Sequence, residues 1–208
     1  MKRLAVLGAS GHGKVVADTA QSCGWEHVDF FDDAWPGRTH NGHWPVVGDS
    51  AALHARLQDY EGVIVAIGNN GIRHAKLEAL SSAGAPLVSL LHPMAFVSQY
   101  ASVGPGSVIF AGVVVNADAR VGYGAILNTG CSVDHDCVLG NAVHVSPGAR
   151  LAGAVSVGDR SWVGIGACVR QLIRLGCDVT VGAGASVVSD VADGKVVVGV
   201  PAKAVVTR

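Results

Sequence analysis

A six-residue period through the second half of the chain, and a strand–helix alternation opened by a glycine-rich turn in the first half, predict the fold class. It is a small Rossmann-like α/β domain followed by a left-handed parallel β-helix of hexapeptide repeats. The period is the stronger observation. Every sixth residue from Val97 to Val187 is Val, Ile or Leu. The position four residues after each is small or β-branched, as at Ala101, Ser107, Ala119, Cys131, Cys137 and Ala149. Such a pattern places one aliphatic side chain inward on each short strand and one small side chain in the adjacent corner, three strands to a coil. Neither a β-sandwich nor an elastic Val/Gly-rich segment holds a frame of six. Residues 97–186 make five coils, about 24 Å tall at roughly 4.8 Å per coil. Glycine often follows the aliphatic residue (Gly104, Gly122, Gly140, Gly158, Gly164, Gly176, Gly182), which suits turns that need permissive dihedrals.

In residues 1–92 apolar runs of strand length, Arg3–Leu7, Val28–Phe31, Val63–Ile67 and Leu87–Leu91, alternate with helical stretches near Lys14–Cys23, Ser50–Arg56 and Ile72–Ala83. This alternation predicts a parallel sheet with helices on its faces. Pro93 punctuates the join, so the β-helix domain with its short tail is expected over 93–208.

Bulk properties remove several function classes. The 208 residues carry a formal net charge of −1 and only 15% charged residues, which speaks against nucleic acid as a partner. The five cysteines form no CxxC pair, so neither a disulfide framework nor a zinc ribbon is expected, and a cytoplasmic location fits. The stretch from Ala83 to Asn116 has no Asp, Glu, Lys or Arg, yet Pro, Gly, Ser, His92 and Gln99 interrupt it. It is read as no membrane span.

Candidate binding residues lie at the carboxyl ends of the first three strands, where ligands bind in open α/β sheets. Gly8-Ala9-Ser10-Gly11-His12-Gly13-Lys14 leads into a helix whose free N–H groups attract phosphate. Asp32 and Asp33 close the second strand, where a carboxylate takes ribose hydroxyls, and Gly68-Asn69-Asn70 follows the third. About 90 residues accommodate only half of a dinucleotide fold, so a nucleotide carrying a sugar is a better fit than NAD.

Two histidines fall inside the repeat. His135 takes a turn position in Val133-Asp134-His135-Asp136-Cys137, facing outward, where neutral imidazole can remove a proton near pH 7 with Asp136 or Asp134 holding its tautomer. On composition alone an isolated surface histidine is a solvated turn residue. His144 lies half a coil further on, so one prism presents the two on different flanks, and a site using both lies between subunits. Two histidines are too few for a three-histidine zinc site of the γ-carbonic-anhydrase type, so no metal is expected. His40 and His43 form an HxxH in a Gly/Asn-rich loop read as exposed. Cys131 and Cys137 occupy small-residue corners and are read as packing.

These segments carry a resemblance. GASGHG at 8–13, Ala66-Ile67-Gly68-Asn69-Asn70, Asn128 to Asp136 and Gly199-Val200-Pro201-Ala202-Lys203 occur in the order found in the sialic-acid O-acetyltransferase and bacillosamine-pathway (UDP-4-amino-sugar) N-acetyltransferase family. The resemblance spans nearly the whole chain and does not specify substrate. It implies a homotrimer with acetyl-CoA as co-substrate in clefts between β-helices, and a UDP- or GDP-linked 4-amino-4,6-dideoxy sugar as acceptor in glycan synthesis. By the same resemblance His135 is the general base, supported by Asp136 where the family often has Glu. His144, Ile165 and Ala183 line the acetyl-CoA site, with Ala183 where Gly is common. Ser10, Gly11, His12, Asp32, Asp33 and Gly68 form the sugar-nucleotide site. The alternatives are O-acetylation of sialic acid and a non-catalytic nucleotide-sugar-binding protein.

Overall fold

The computed structural model describes residues 2–205. Its first part is a five-stranded sheet of β1 (Arg3–Leu7), β2 (His27–Phe31), β3 (His40–Asn41), β4 (Trp44–Gly48) and β5 (Gly62–Val65), in the order β3-β4-β2-β1-β5. All neighbours are parallel except the β3–β4 hairpin. Helices α1 (Gly11–Ser22), α2 (Ser50–Ala55) and α3 (Asn70–Ser82) cover the faces. Alternation along β1 divides the packing: Leu4 and Val6 join Val16, Ala17 and Ala20 of α1, while Ala5 and Leu7 face Leu53, Leu77 and Leu80. Asp49 and Asn69 cap α2 and α3 by accepting from Ala52 N and Ile72 N.

Two expectations need correction. The loop expected around His40 and His43 is instead the β3–β4 hairpin, which pairs with β2 at the sheet edge, with both histidines exposed as expected. The run Leu87–Leu91 is not a fourth strand of this sheet. Leu87 makes a single bridge to Val63, whereas Leu90–Leu91 pair with Val108–Ile109 as the first rung of the β-helix. The chain changes partner within five residues.

The second part is a three-sided left-handed β-helix of two-residue strands, each paired in parallel with the strand eighteen residues away. One side, here the docking face, runs from Leu90–Leu91 through Ile126–Leu127, His144–Val145 and Trp162–Val163 to Val196–Val198. The second side contains Ser132–Val133 and Arg150–Leu151, and the third contains Val138–Leu139 and Ser156–Val157. The coils therefore extend beyond 97–186 at both ends. Lys203–Ala204 then reverses and pairs antiparallel with Val197–Val198. The inward aliphatics and the small corner residues form one buried column, including Ile109, Leu127, Val145, Ala119, Cys131 and Ala149.

The repeated glycines have a different cause from the one expected. Gly104, Gly122, Gly140, Gly158, Gly164, Gly176 and Gly182 do not have positive φ. Instead a Cβ at Gly122 would stand 2.5 Å from the Gly140 carbonyl oxygen, and one at Gly104 2.6 Å from Tyr123 N. Coils stack too closely there for any side chain. Left-handed conformations occur two residues later, and only some are glycine: Ala142, Arg160 and Asp178 adopt them too.

The two parts share a core. Leu90, Val108, Phe110 and Ile126 project from the docking face into the cluster built by α1 and the sheet. No helix among the described residues is long and apolar enough to cross a membrane.

Candidate active site

The glycine turn, the end of β2 and the start of α3 enclose a cleft of about 240 Å³ lined by Gly8, Ser10, Asp32, Asp33, Gly68 and Lys76 among others. Gly8 has φ +112, and a Cβ there would meet the Ala66 carbonyl at 2.8 Å, so only glycine lets the strands approach. Asp32 fastens the turn by accepting from Ala9 N (2.7 Å) and Ala34 N (3.0 Å). Asp33 accepts from Ser50 N (2.9 Å), and Lys76 Nζ reaches Ser50 Oγ (3.0 Å). Hydrogen bonds from Ser50, and then Lys76, hold the Asp33 carboxyl below the usual range. The overlooked hairpin contributes as well: Arg38 donates to Ala9 O, and Asn41 donates to Ser10 O at 3.1 Å. Both sequester turn carbonyls and leave Ser10 and Gly11 exposed beside the helix N-terminus.

His135 stands at the corner joining the second and third faces. Its Nδ1 is 2.7 Å from Asp136 Oδ2, and both side chains are 61% exposed. The left-handed turn at Asp136 (φ 59) curls this carboxylate back onto the ring. Asp134 accepts from His135 N at 2.8 Å and from Asn116 Nδ2 at 2.9 Å. One coil on, Gly153 leaves room for the ring, since a Cβ there would lie 2.6 Å from His135 Nε2. The hydrogen bond that Nδ1–H donates to Asp136, and then the charge of Asp134, raise the imidazole pKa above its ordinary value. With Nδ1 engaged, Nε2 is the nitrogen presented outward.

His144 is on the docking face, only 9% exposed, stacked on Trp162 at 5.6 Å with planes 8° apart. Its ring is 6.4 Å from that of His12, which packs edge-on to Phe110. Asn128 Nδ2 approaches His144 Nε2 at 3.3 Å, while His144 Nδ1 and His12 Nε2 are buried without a partner. Beside them a cavity of about 510 Å³ is lined by Gly68, Asn70, His144, Arg160, Trp162 and Thr180 among others, and so adjoins the glycine-turn cleft at Gly68. Ile165 and Ala183 lie elsewhere: both are exposed, one coil apart at the corner following the docking face. His135 is thus set apart from the remaining candidates. In a three-sided prism its corner is the one opposite the face that carries the N-terminal domain.

Burial, and then the Arg73 charge, lower His12 to about 4 and His144 to about 3. Both are neutral at pH 7. The unfolded chain takes up these protons near pH 6.5 and the folded chain only well below it, so stability is full above 6.5 and falls as pH drops toward 4. We expect a loss of about 1.4 kcal/mol per pH unit per histidine in that window. Melting temperatures followed from pH 7 to 4 in the wild type and in a His12→Gln/His144→Gln variant check this. An equally steep decline in the variant would assign the effect to other groups.

The thiols offer no competing nucleophile in the core. Burial raises Cys131 to about 12 and also raises Cys137. Among the described residues no group of three or more His, Cys, Asp or Glu is placed to hold a metal.

With this geometry in view, known proteins fall into one pattern. Residues 3–80 match the PglD N-terminal domain. UDP-N-acetylbacillosamine N-acetyltransferase of Bacillus subtilis (strain 168) is 35% identical over 113 residues, which span about half of either protein (53% and 52%). The acetyltransferase domain of PglB from Neisseria gonorrhoeae FA1090, in complex with acetyl coenzyme A, is 43% identical with a TM-score of 0.94. That match covers 98% of this chain and 99% of that one. PerB from Caulobacter crescentus, in complex with CoA and GDP-perosamine, is 41% identical over 98% of this chain and 97% of its own, with a TM-score of 0.92. Similar in sequence and in structure from end to end, the chain belongs to the family of acetyl-CoA-dependent sugar N-acetyltransferases that join a PglD-type N-terminal domain to a hexapeptide-repeat β-helix.

Proposed function

We propose that the protein transfers acetyl from acetyl-CoA to the 4-amino group of a UDP- or GDP-linked 4-amino-4,6-dideoxy sugar used for bacterial surface glycan, with His135 as general base. The observation that carries this reading is the His135–Asp136 pair, exposed on a turn of this family's scaffold with Nε2 free. Residues 1–92 hold the nucleotide through Ser10, Gly11, His12, Asp32, Asp33 and Gly68. Residues 93–208 provide the transfer site, with His144, Ile165 and Ala183 toward acetyl-CoA. The position of His135 opposite its own docking face supports a homotrimer in which one subunit's nucleotide cleft serves a neighbour's base. The complex of PerB with CoA and GDP-perosamine supports the substrate class. The use of acetyl-CoA supports a cytoplasmic location.

In the step itself the amine nitrogen attacks the thioester carbonyl carbon while His135 Nε2 takes the amine proton. The C–S bond then breaks, and the CoA thiolate leaves with the proton returned from the imidazolium. A thioester is reactive enough that no acyl-enzyme is needed. The test is release of free CoA with a panel of UDP- and GDP-linked 4-amino sugars and sialic acid. Turnover of an amino-sugar nucleotide is expected, whereas turnover of sialic acid alone would replace the reading by O-acetylation.

The base must be neutral to act, so kcat/KM rises with pH through a midpoint above 6.5, where Asp136 and Asp134 hold the His135 pKa. Asp136→Asn is expected to move that limb to lower pH and to lower the plateau. The acceptor amine adds its own limb equally to both enzymes. Coincident limbs in the two pH profiles would remove Asp136 from the mechanism.

A further inference from the structure

Arg73 is a charged side chain only 1% exposed, and its acceptors are neutral. Nε donates to Gly124 O (2.8 Å), Nη1 to Ile67 O (3.0 Å) and Gly68 O (3.3 Å), and Nη2 to Asn70 Oδ1 (2.9 Å) and Ala142 O (2.7 Å). These five bonds match the five N–H groups of a guanidinium. Asn70 extends the contact, its Nδ2 donating to Arg160 O (2.9 Å) and Ser161 O (3.1 Å). Gly124, Ala142 and Arg160 hold the same left-handed corner position on three successive coils, with φ of 66°, 53° and 57°. One end of α3 therefore grips a ladder of carbonyls running up the prism.

A repeating backbone offers the same ladder on every coil, so hydrogen bonds alone leave the height of attachment undetermined. Leu77 removes the ambiguity. A Cβ at Gly106 would lie 2.9 Å from Leu77 Cδ2, and one at Gly124 2.4 Å from Leu77 Cδ1. One coil further along, that corner carries Ala142 and then Arg160, whose guanidinium is tied to Asp178 at 2.7 Å. Leu77 fits only over the two glycine coils.

We propose that Asn70, Arg73 and Leu77 form a docking key that sets the height of the nucleotide-binding domain along the β-helix, making Arg73 a positioning residue for acetyl transfer. The proposal rests on the reaction proposed above. Gly68, whose carbonyl Arg73 holds, borders both the nucleotide cleft and the His144 cavity, so a shift of the key moves the sugar relative to the acetyl group.

The experiment compares Arg73→Gln and Gly124→Ala with the wild type. The second variant acts from the β-helix side, and alanine already occupies the equivalent corner at Ala142. Expected are a fall in kcat of about 100-fold for Arg73→Gln and about tenfold for Gly124→Ala, with UDP or GDP affinity and the KM for acetyl-CoA within about threefold of wild type. A kcat within threefold of wild type in both variants, or nucleotide affinity and melting temperature falling together with kcat, would overturn the proposal. Amide exchange over residues 66–82 gives an independent reading: protection is expected to drop in both variants, and unchanged protection refutes the key. If the wild type turns over no sugar nucleotide, the reaction is wrong, and amide exchange still decides whether the key exists.

Discussion

His135→Ala is expected to lower kcat by about 10²–10⁴-fold, the usual contribution of a positioned general base, while leaving KM for both substrates nearly unchanged. The imidazole touches Asp136 and the space above Gly153, and it belongs to no buried cluster. Truncating it removes a proton acceptor without opening a cavity, so stability should move by no more than about 0.5 kcal/mol. Steady-state CoA release and a thermal melt on the same preparation separate the two quantities. A loss of less than tenfold, with the melt unchanged, would take the base away from His135 and turn attention to the neutral histidines beside Trp162.

The second large effect is structural. Gly122→Ala places a methyl 2.5 Å from Gly140 O and 2.6 Å from Gly140 C. That backbone has little freedom to retreat, since Gly140 N already donates to Val157 O at 2.8 Å and Gly122 N to Leu139 O at the same distance. We expect a loss of about 3 kcal/mol, at the upper end of overpacking in a dense interior. Gly130→Ala is the contrast: φ is +65 and nothing lies within 4 Å of the added carbon, so the loss should be about 1–2 kcal/mol, the strain of a left-handed alanine. Urea melts of the two variants settle the matter. Equal losses would mean that dihedral freedom, not coil spacing, explains both sets of glycines.

That pair of glycines also marks where sequence reasoning stops. The period of six was legible because each inward aliphatic repeats a local demand, and Val97 to Val187 display it without a break. The recurrence of Gly104, Gly122 and Gly140 was equally plain, but spacing does not tell a turn from a close approach of the next coil. Strands 3–7 and 27–31 and the three helices were visible as runs, since burial on both sheet faces leaves β1 nearly all apolar. Trp44–Gly48 was hidden by Pro45 and by Asn41 and Gly42 just before it. Leu87–Leu91 was misassigned because an apolar run does not say which sheet will receive it. Of the candidate site, the glycine turn and the two aspartates were found from their place after strands, whereas Lys76, Arg38 and Asn41 arrive from elements whose position depends on tertiary packing. Arg73 reads as an ordinary polar residue in Ile72-Arg73-His74. Its role exists only because α3 lies against a corner formed by residues 51 and 69 positions later.

The reversed strand Lys203–Ala204 covers one edge of the docking face. A parallel solenoid finishes in a rung whose unpaired N–H and C=O groups match the pitch of any other rung, so two such ends can stack and go on stacking. By folding back antiparallel on Val197–Val198, the chain presents a rung of the wrong polarity, with Lys203 on it. A parallel rung of another copy finds no matching partner against that reversed strand, so the docking face is shielded there from edge-to-edge pairing.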